Sequence, residues 1–162
     1  MAKKEKENKS NAMRILERNG IFYEAHTYEC EEFTDGAQIA DKLGLPHERV
    51  YKPLVTVGKS RGHYVFVIPI DEELDFKKAA KAVGEKSLEM LPLKELTAVT
   101  GYVRGGCTSV GMKKAFPTVF QKEIEELNRV FVSGGRLGLQ LELAPTDLIR
   151  AARGSVADVI AR

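Results

Sequence analysis

Cysteine is scarce: Cys30 and Cys107 are the only two in the 162-residue chain, and they form no Cys-x-x-Cys pair. The three histidines, His26, His47 and His63, lack spacing such as His-x-x-x-His, so a zinc site is not expected. No apolar run is long enough to span a bilayer, and the opening "MAKKEKENKS" has no apolar stretch behind its charges. A cytoplasmic location without a membrane partner is therefore expected, and its reducing conditions favour two thiols over a disulfide. Neither sign of charge dominates. The 25 Lys and Arg against 23 Asp and Glu leave +2, too little to coat a nucleic acid, so any such contact needs a local basic patch and DNA is not an expected partner. The Gly-Lys-Ser/Thr end of a Walker loop and the dinucleotide fingerprint are absent too, which speaks against nucleotide triphosphate hydrolysis.

What is present is an ordinary globular composition, 43% hydrophobic and 30% charged, over a length that suits a single core. Residues 1–10, with the charged run "KKEKENK", read as a flexible N-terminal tail and residues 11–162 as one domain. "NAMRILERNG" predicts a helix capped by Asn11 and stopped by Gly20, and "IFYEAHTY" a strand. "TDGAQIADKLGL" predicts a second helix, capped by Thr34 or Asp35. "VYKPLVTVG" and "HYVFVIPI" change to a period of two and predict an antiparallel hairpin across "GKSRG". Helices are expected in "LDFKKAAKAVG", "PLKELTAVTG" and "APTDLIRAARG", with a last one in "SVADVIAR" capped by Ser155. "RVFVSGG" and "LGLQLELA" flank a glycine turn. The whole predicts an α+β fold: a central, largely antiparallel or mixed sheet, curved toward a barrel and surrounded by helices.

Lys52 is the most informative residue, because alternation along "VYKPLVTV" places it on the face of Val50 and Leu54. Two readings stand, an edge lysine that snorkels along its apolar stem and a fixed cation at the floor of a pocket. In "GYVRGGCTSVGMKK", Gly105, Gly106 and Gly111 surround Cys107, Thr108 and Ser109. Glycines let backbone amides converge on a substrate oxygen, although a plain turn or bulge uses the same residues. Cys107 as a nucleophile needs a histidine nearby, and a thiol packed in the turn is the alternative. "VSGGRLG" supplies a second glycine turn with Ser133, Gly134, Gly135 and Arg136. A lysine and two glycine turns suit the gripping of an ester-like carbonyl.

These segments, with "HTYE", "KLGLPHERVYKPLV", "FKKAAKAVG" and "VFVSGGRLGLQLELAPTDL", resemble in order the YbaK/EbsC group of free-standing aminoacyl-tRNA deacylases, related to the editing domain of bacterial prolyl-tRNA synthetases. The resemblance implies removal of cysteine from Cys-tRNA(Pro), beside prolyl-tRNA synthetase, with aminoacyl-tRNA as the other partner; a monomer without a cofactor is expected. It also implies that the substrate's own thiol attacks its ester, with proximity supplying most of the rate. By position, Lys52 matches the essential lysine and Tyr28 a pocket tyrosine. Gly105, Gly106, Thr108 and Gly111 match the substrate loop, and Ser133, Gly134 and Gly135 the second turn. Thr108 and Ser109 stand where the family commonly has Ser-Pro, and Gln140 where an aspartate is frequent. Phe33 is the candidate pocket phenylalanine, and Arg104, Lys113, Lys114 and Arg136 are candidate phosphate contacts. The altered loop keeps two alternatives open: deacylation of another small aminoacyl-tRNA such as Ala-tRNA, or a non-catalytic tRNA- or synthetase-binding module.

Overall fold

The computed structural model describes residues 9–30 and 35–162. Phe33 and Thr34 lie outside the described residues. The first helix, α1 (Asn11–Arg18), is capped by Ser10 rather than Asn11. The Ser10 hydroxyl accepts from the Met13 amide in a capping box, and Ser10 is buried, so the folded part starts slightly before the predicted boundary. Asn11 instead donates from its side chain to the Gly111 carbonyl at 3.1 Å. Strand β1 (Tyr23–Thr27) leads to α2 (Gly36–Leu43), whose cap is Asp35, accepting from the Gln38 amide at 2.8 Å.

The predicted hairpin forms as β2 (Tyr51–Gly58) and β3 (His63–Pro69), antiparallel from Tyr51↔Pro69 to Val57↔His63. After it come α3 (Phe76–Val83), capped by Asp75, the short strand β4 (Leu88–Met90) and α4 (Leu96–Thr100). The C-terminal part carries β5 (Thr118–Gln121), β6 (Val130–Ser133), β7 (Leu139–Leu143), α5 (Pro145–Ala151) and β8 (Ser155–Ala157).

The last of these corrects the expected helix in "SVADVIAR". Ser155 caps nothing. Ser155, Val156 and Ala157 pair in parallel with Val119, Phe120 and Gln121, and the buried Gln121 side chain accepts from the Val159 amide at 2.7 Å. Open ladder positions on β5 and a side chain ready to take up a backbone N–H outweigh the helical preference of so short a segment. Strands β4 and β5, only three and four residues long, carry no alternation to read.

Two sheets result, one ordered β1-β7-β6 and one ordered β4-β2-β3-β5-β8. The β3–β5 and β5–β8 pairs are parallel and the others antiparallel. The sheets meet at a bridge between Val50, just before β2, and Phe131 of β6. Both faces of the β2–β3 hairpin are covered: Tyr51, Val55, Val65 and Val67 enter one apolar cluster, while Phe66 and Ile68 enter another. No helix among the described residues is long and apolar enough to cross a membrane.

Candidate active site

One edge of β2 is unevenly occupied. Near its C-terminal end it pairs with β4 from Thr56 to Gly58, and Leu91 adds an N–H to the Val55 carbonyl at 3.0 Å. Just before its N-terminal end, Val50 bridges to β6. Between these contacts lies a cavity of about 640 Å³, bordered by β2 and its neighbours, the Gly105–Cys107 loop and the end of β6.

Lys52 lines this cavity. The alternation holds: Val50 packs with Ile70 and Phe131, Leu54 packs against the cluster around Phe66, and Lys52 lies between them in the strand. Its ammonium donates to the Ile70 carbonyl at 2.9 Å, across the β2–β3 pair. Burial lowers the lysine pKa from its ordinary value, and the carboxylates of Asp71, Glu73, Asp35 and Glu72 pull the other way. Among the described residues the ammonium is therefore neither snorkelled into free solvent nor locked in a close ion pair. There it is tethered by one carbonyl, which leaves N–H donors for a ligand.

Gly105 and Ser133 border the same cavity, as do Cys107 and the buried Gln140, which pairs across the ladder with Ser133. Apart from Arg104, the other sequence-predicted residues are not among the described residues that line it. A Cβ on Gly106 would come within 2.7 Å of the Arg136 Cα, so the two glycine turns pack backbone against backbone, and only glycine permits that approach. Gly111 has φ +82° and sits against Asn11 and the Tyr102 hydroxyl, which anchors the loop by donating to the Val110 carbonyl at 2.6 Å. Thr108 is buried. Gly134 donates to the Leu139 carbonyl at 2.9 Å, closing the β6–β7 hairpin, and Gly135 to the Ser133 hydroxyl at 3.4 Å. Tyr28 is tied to Gly138 through its backbone N–H at 2.9 Å. Its hydroxyl, like the Gln140 side-chain oxygen, is buried without a hydrogen-bond partner among the described residues.

The amides of the loop differ in whether they are satisfied within it. The Gly106 N–H is used within the turn, on the Val103 carbonyl at 3.0 Å. The Gly105 N–H has no partner among the described residues and belongs to a cavity-lining residue. Cys107 is not disposed to act as a nucleophile. Burial pushes its pKa up to about 11, so it is a thiol at neutral pH. Each histidine is engaged elsewhere: His26 with Glu142, His47 with Asp41 and Asp71, and His63 edge-on to Phe116. The cysteine-nucleophile reading thereby loses both its thiolate and its base.

Of the candidate phosphate contacts, Arg104 lines the cavity, Lys114 borders a second hollow of about 170 Å³, Lys113 reaches the Ala98 carbonyl at 3.3 Å, and Arg136 backs onto Gly106. Spacing along the chain also concealed a group on the β1–β7 ladder. Ligand atoms of Glu24, His26 and Glu142 lie within 4.8 Å of one another, because cross-strand pairing joins positions distant in sequence. Arg129 already pairs with Glu142 at 3.4 Å there.

Fold and cavity together define a class: small α+β domains in which a strand lysine, tethered to a carbonyl, and a glycine loop border one cavity. Comparison with known proteins narrows the class. Residues 30–151 match the family model of the aminoacyl-tRNA editing domain. Over 160 residues, covering 98% of both chains, the sequence is 44% identical to Enterococcus faecalis EbsC, to which Cys-tRNA(Pro)/Cys-tRNA(Cys) deacylase activity is ascribed. A 77-residue stretch, 48% of this chain, is 32% identical to 14% of the proline–tRNA ligase of Thermosipho africanus. The crystal structure of a protein assigned as a trans-editing enzyme for prolyl-tRNA synthetase superposes with a TM-score of 0.81 at 25% identity, over 94% of this chain and 99% of that one. This chain belongs to the aminoacyl-tRNA editing domain family.

Proposed function

We propose that this chain is a trans-editing deacylase that removes a mischarged amino acid, cysteine first, from Cys-tRNA(Pro) in the cytoplasm, as a single domain acting beside prolyl-tRNA synthetase. The observation that carries the reading is the meeting of Lys52, Gly105 and Ser133, from one strand, one loop and the end of another strand, around one cavity. The relative at 44% identity, with its ascribed cysteinyl-tRNA deacylase activity, supports cysteine as the amino acid. Apolar pockets separate small amino acids of similar size poorly, so a second hydrolytic site is the usual remedy.

The reaction needs no protein nucleophile. With the aminoacyl ester in the cavity, the substrate sulfur forms a bond to its own carbonyl carbon, the carbon–oxygen bond to the ribose breaks, and the thiol proton ends on the departing ribose hydroxyl. A thiolactone and free tRNA result. The Gly105 N–H and the Lys52 ammonium face the oxygen on which negative charge develops. Lys52 serves as a cation, and its lowered pKa makes that charge easier to lose at high pH than an ordinary lysine's. Tyr28, Gly106, Thr108, Gly111, Gly134 and Gly135 shape and hold the wall. Arg104 is the cavity-side candidate for a phosphate of the acceptor end.

Incubation with Cys-tRNA(Pro), Ala-tRNA and Pro-tRNA, following the remaining ester, tests the reading. Loss of the cysteinyl ester, survival of Pro-tRNA, collapse in Lys52→Ala and retention in Cys107→Ser are expected. Preferential loss of Ala-tRNA would move the specificity. Sparing of every ester even with prolyl-tRNA synthetase present would leave a binding module.

A further inference from the structure

The cavity is larger than the acyl group it would process. At about 640 Å³ it holds roughly twenty water molecules of about 30 Å³ each, far more than a cysteinyl group displaces. Its lining is of mixed character. Lys52, Asp35, Ser133 and Gln140 are polar, whereas Pro53, Met90, Leu91, Leu93 and Leu96 are apolar and come from β2, β4 and the turn into α4. Strand alternation sets Pro53 on the opposite side of β2 from Lys52. Two of the apolar residues are unusually open: Met90 is 43% exposed and Leu93 54% exposed. An exposed apolar surface that continues into a cavity is a ligand surface more often than an accident of packing.

Resting on the deacylase reading, we propose that this apolar wall is the seat of the substrate's terminal purine nucleoside, with Met90 and Leu93 packing against the face of the base. The chemistry of the ester requires the alcohol half to enter with the acyl half, because the bond that breaks joins them. In an aminoacyl-tRNA that alcohol is the ribose of the terminal adenosine. With the acyl carbonyl held by Lys52 and Gly105, the base extends away from the polar groups, and the apolar residues offer it a surface on which to leave water. Arg104 lines the cavity as well and suits the nucleoside's 5′-phosphate, since guanidinium matches phosphate geometry. Cysteine is then read at the polar groups, and the tRNA end is held by a surface indifferent to the amino acid.

Two measurements on the full chain test this, using Met90→Ser/Leu93→Ser. Binding of adenosine 5′-monophosphate, followed by NMR line broadening, is expected in the wild type and at least tenfold weaker in the double variant. With 3′-O-cysteinyl-adenosine and cysteine ethyl ester as paired substrates, the double substitution should shrink the KM advantage of the nucleoside ester at least tenfold, with a smaller change in kcat. Equal nucleotide binding by the two proteins, or an undiminished KM advantage, overturns the proposal. So does an effect confined to stimulation by prolyl-tRNA synthetase, which would make the wall a protein contact. Nucleotide binding that depends on Met90 and Leu93 in a protein hydrolysing no ester would uphold the seat while removing the deacylase reading.

Discussion

The two glycine turns look alike in sequence and differ in what they offer. In the turn after β6, the amides of Gly134 and Gly135 are spent on the Leu139 carbonyl and the Ser133 hydroxyl, so its glycines build a hairpin end and present a serine. In the 101–111 loop, Gly106 is spent, whereas the N–H of the cavity-lining Gly105 has no partner among the described residues, which is why it is proposed as the main-chain donor to the substrate. Glycine content marks where the backbone bends or is closely approached. Which N–H groups remain for a substrate follows only from where the others are satisfied.

That contrast can be broken at its joint. Gly106→Ala inserts a methyl group against the Arg136 backbone, where neither turn has a flexible side chain to yield. A stability loss of about 1–3 kcal/mol is expected from overpacking, measured by urea unfolding. Deacylation should fall by about a hundredfold, the scale of effect when catalytic groups move by an ångström. Equal activity in Gly106→Ala would show that the approach of the turns does not set the site.

Ser133→Ala sharpens the comparison more gently. It removes the acceptor of the Gly135 N–H, at a cost of about 1 kcal/mol for a lost hydrogen bond, with a several-fold decrease in kcat/KM. A decrease as large as that of Gly106→Ala would place the chemistry on the second turn instead.

The smallest effect concerns the outer support of Ile70, the residue whose carbonyl holds Lys52. Next to it, Asp71 accepts from His47 at 2.8 Å, and Asp41 meets the other ring nitrogen at 2.7 Å. Hydrogen bonds to Asp41, then to Asp71, raise the His47 pKa above 6.5. Because the folded value is the higher one, this clamp is at full strength below pH 6.5 and is lost as pH rises through the folded pKa. Thermal melting across that range should show a shallow decline that His47→Asn removes. A stability that rises with pH through the same range in wild type alone would reverse the assignment.

Much of this was legible from residue order. The β2–β3 hairpin follows from β-branched alternation, and the inward position of Lys52 follows from the same period. The Asp35 cap, one of two candidates in "TDGAQ", was readable because capping is local. Illegible features depend on partners remote in sequence. The strand at Ser155–Ala157 exists because β5 presents an edge to it. The carbonyl that tethers Lys52 lies across the hairpin, and the apolar wall at Met90 and Leu93 borders the site only because the chain leaves β2 after Leu91.

The most direct test is single-turnover deacylation of Cys-tRNA(Pro) by Lys52→Met, which keeps most of the buried stem and removes the charge together with its hydrogen bond to the Ile70 carbonyl. Losing an oxyanion-stabilising group costs about a hundred- to a thousandfold in rate, so a drop of that size is predicted in a protein that melts close to wild type, since relief of a desolvated ammonium offsets the loss of its bond to the Ile70 carbonyl. A Lys52→Met protein that turns over its substrate at the wild-type rate would contradict the account.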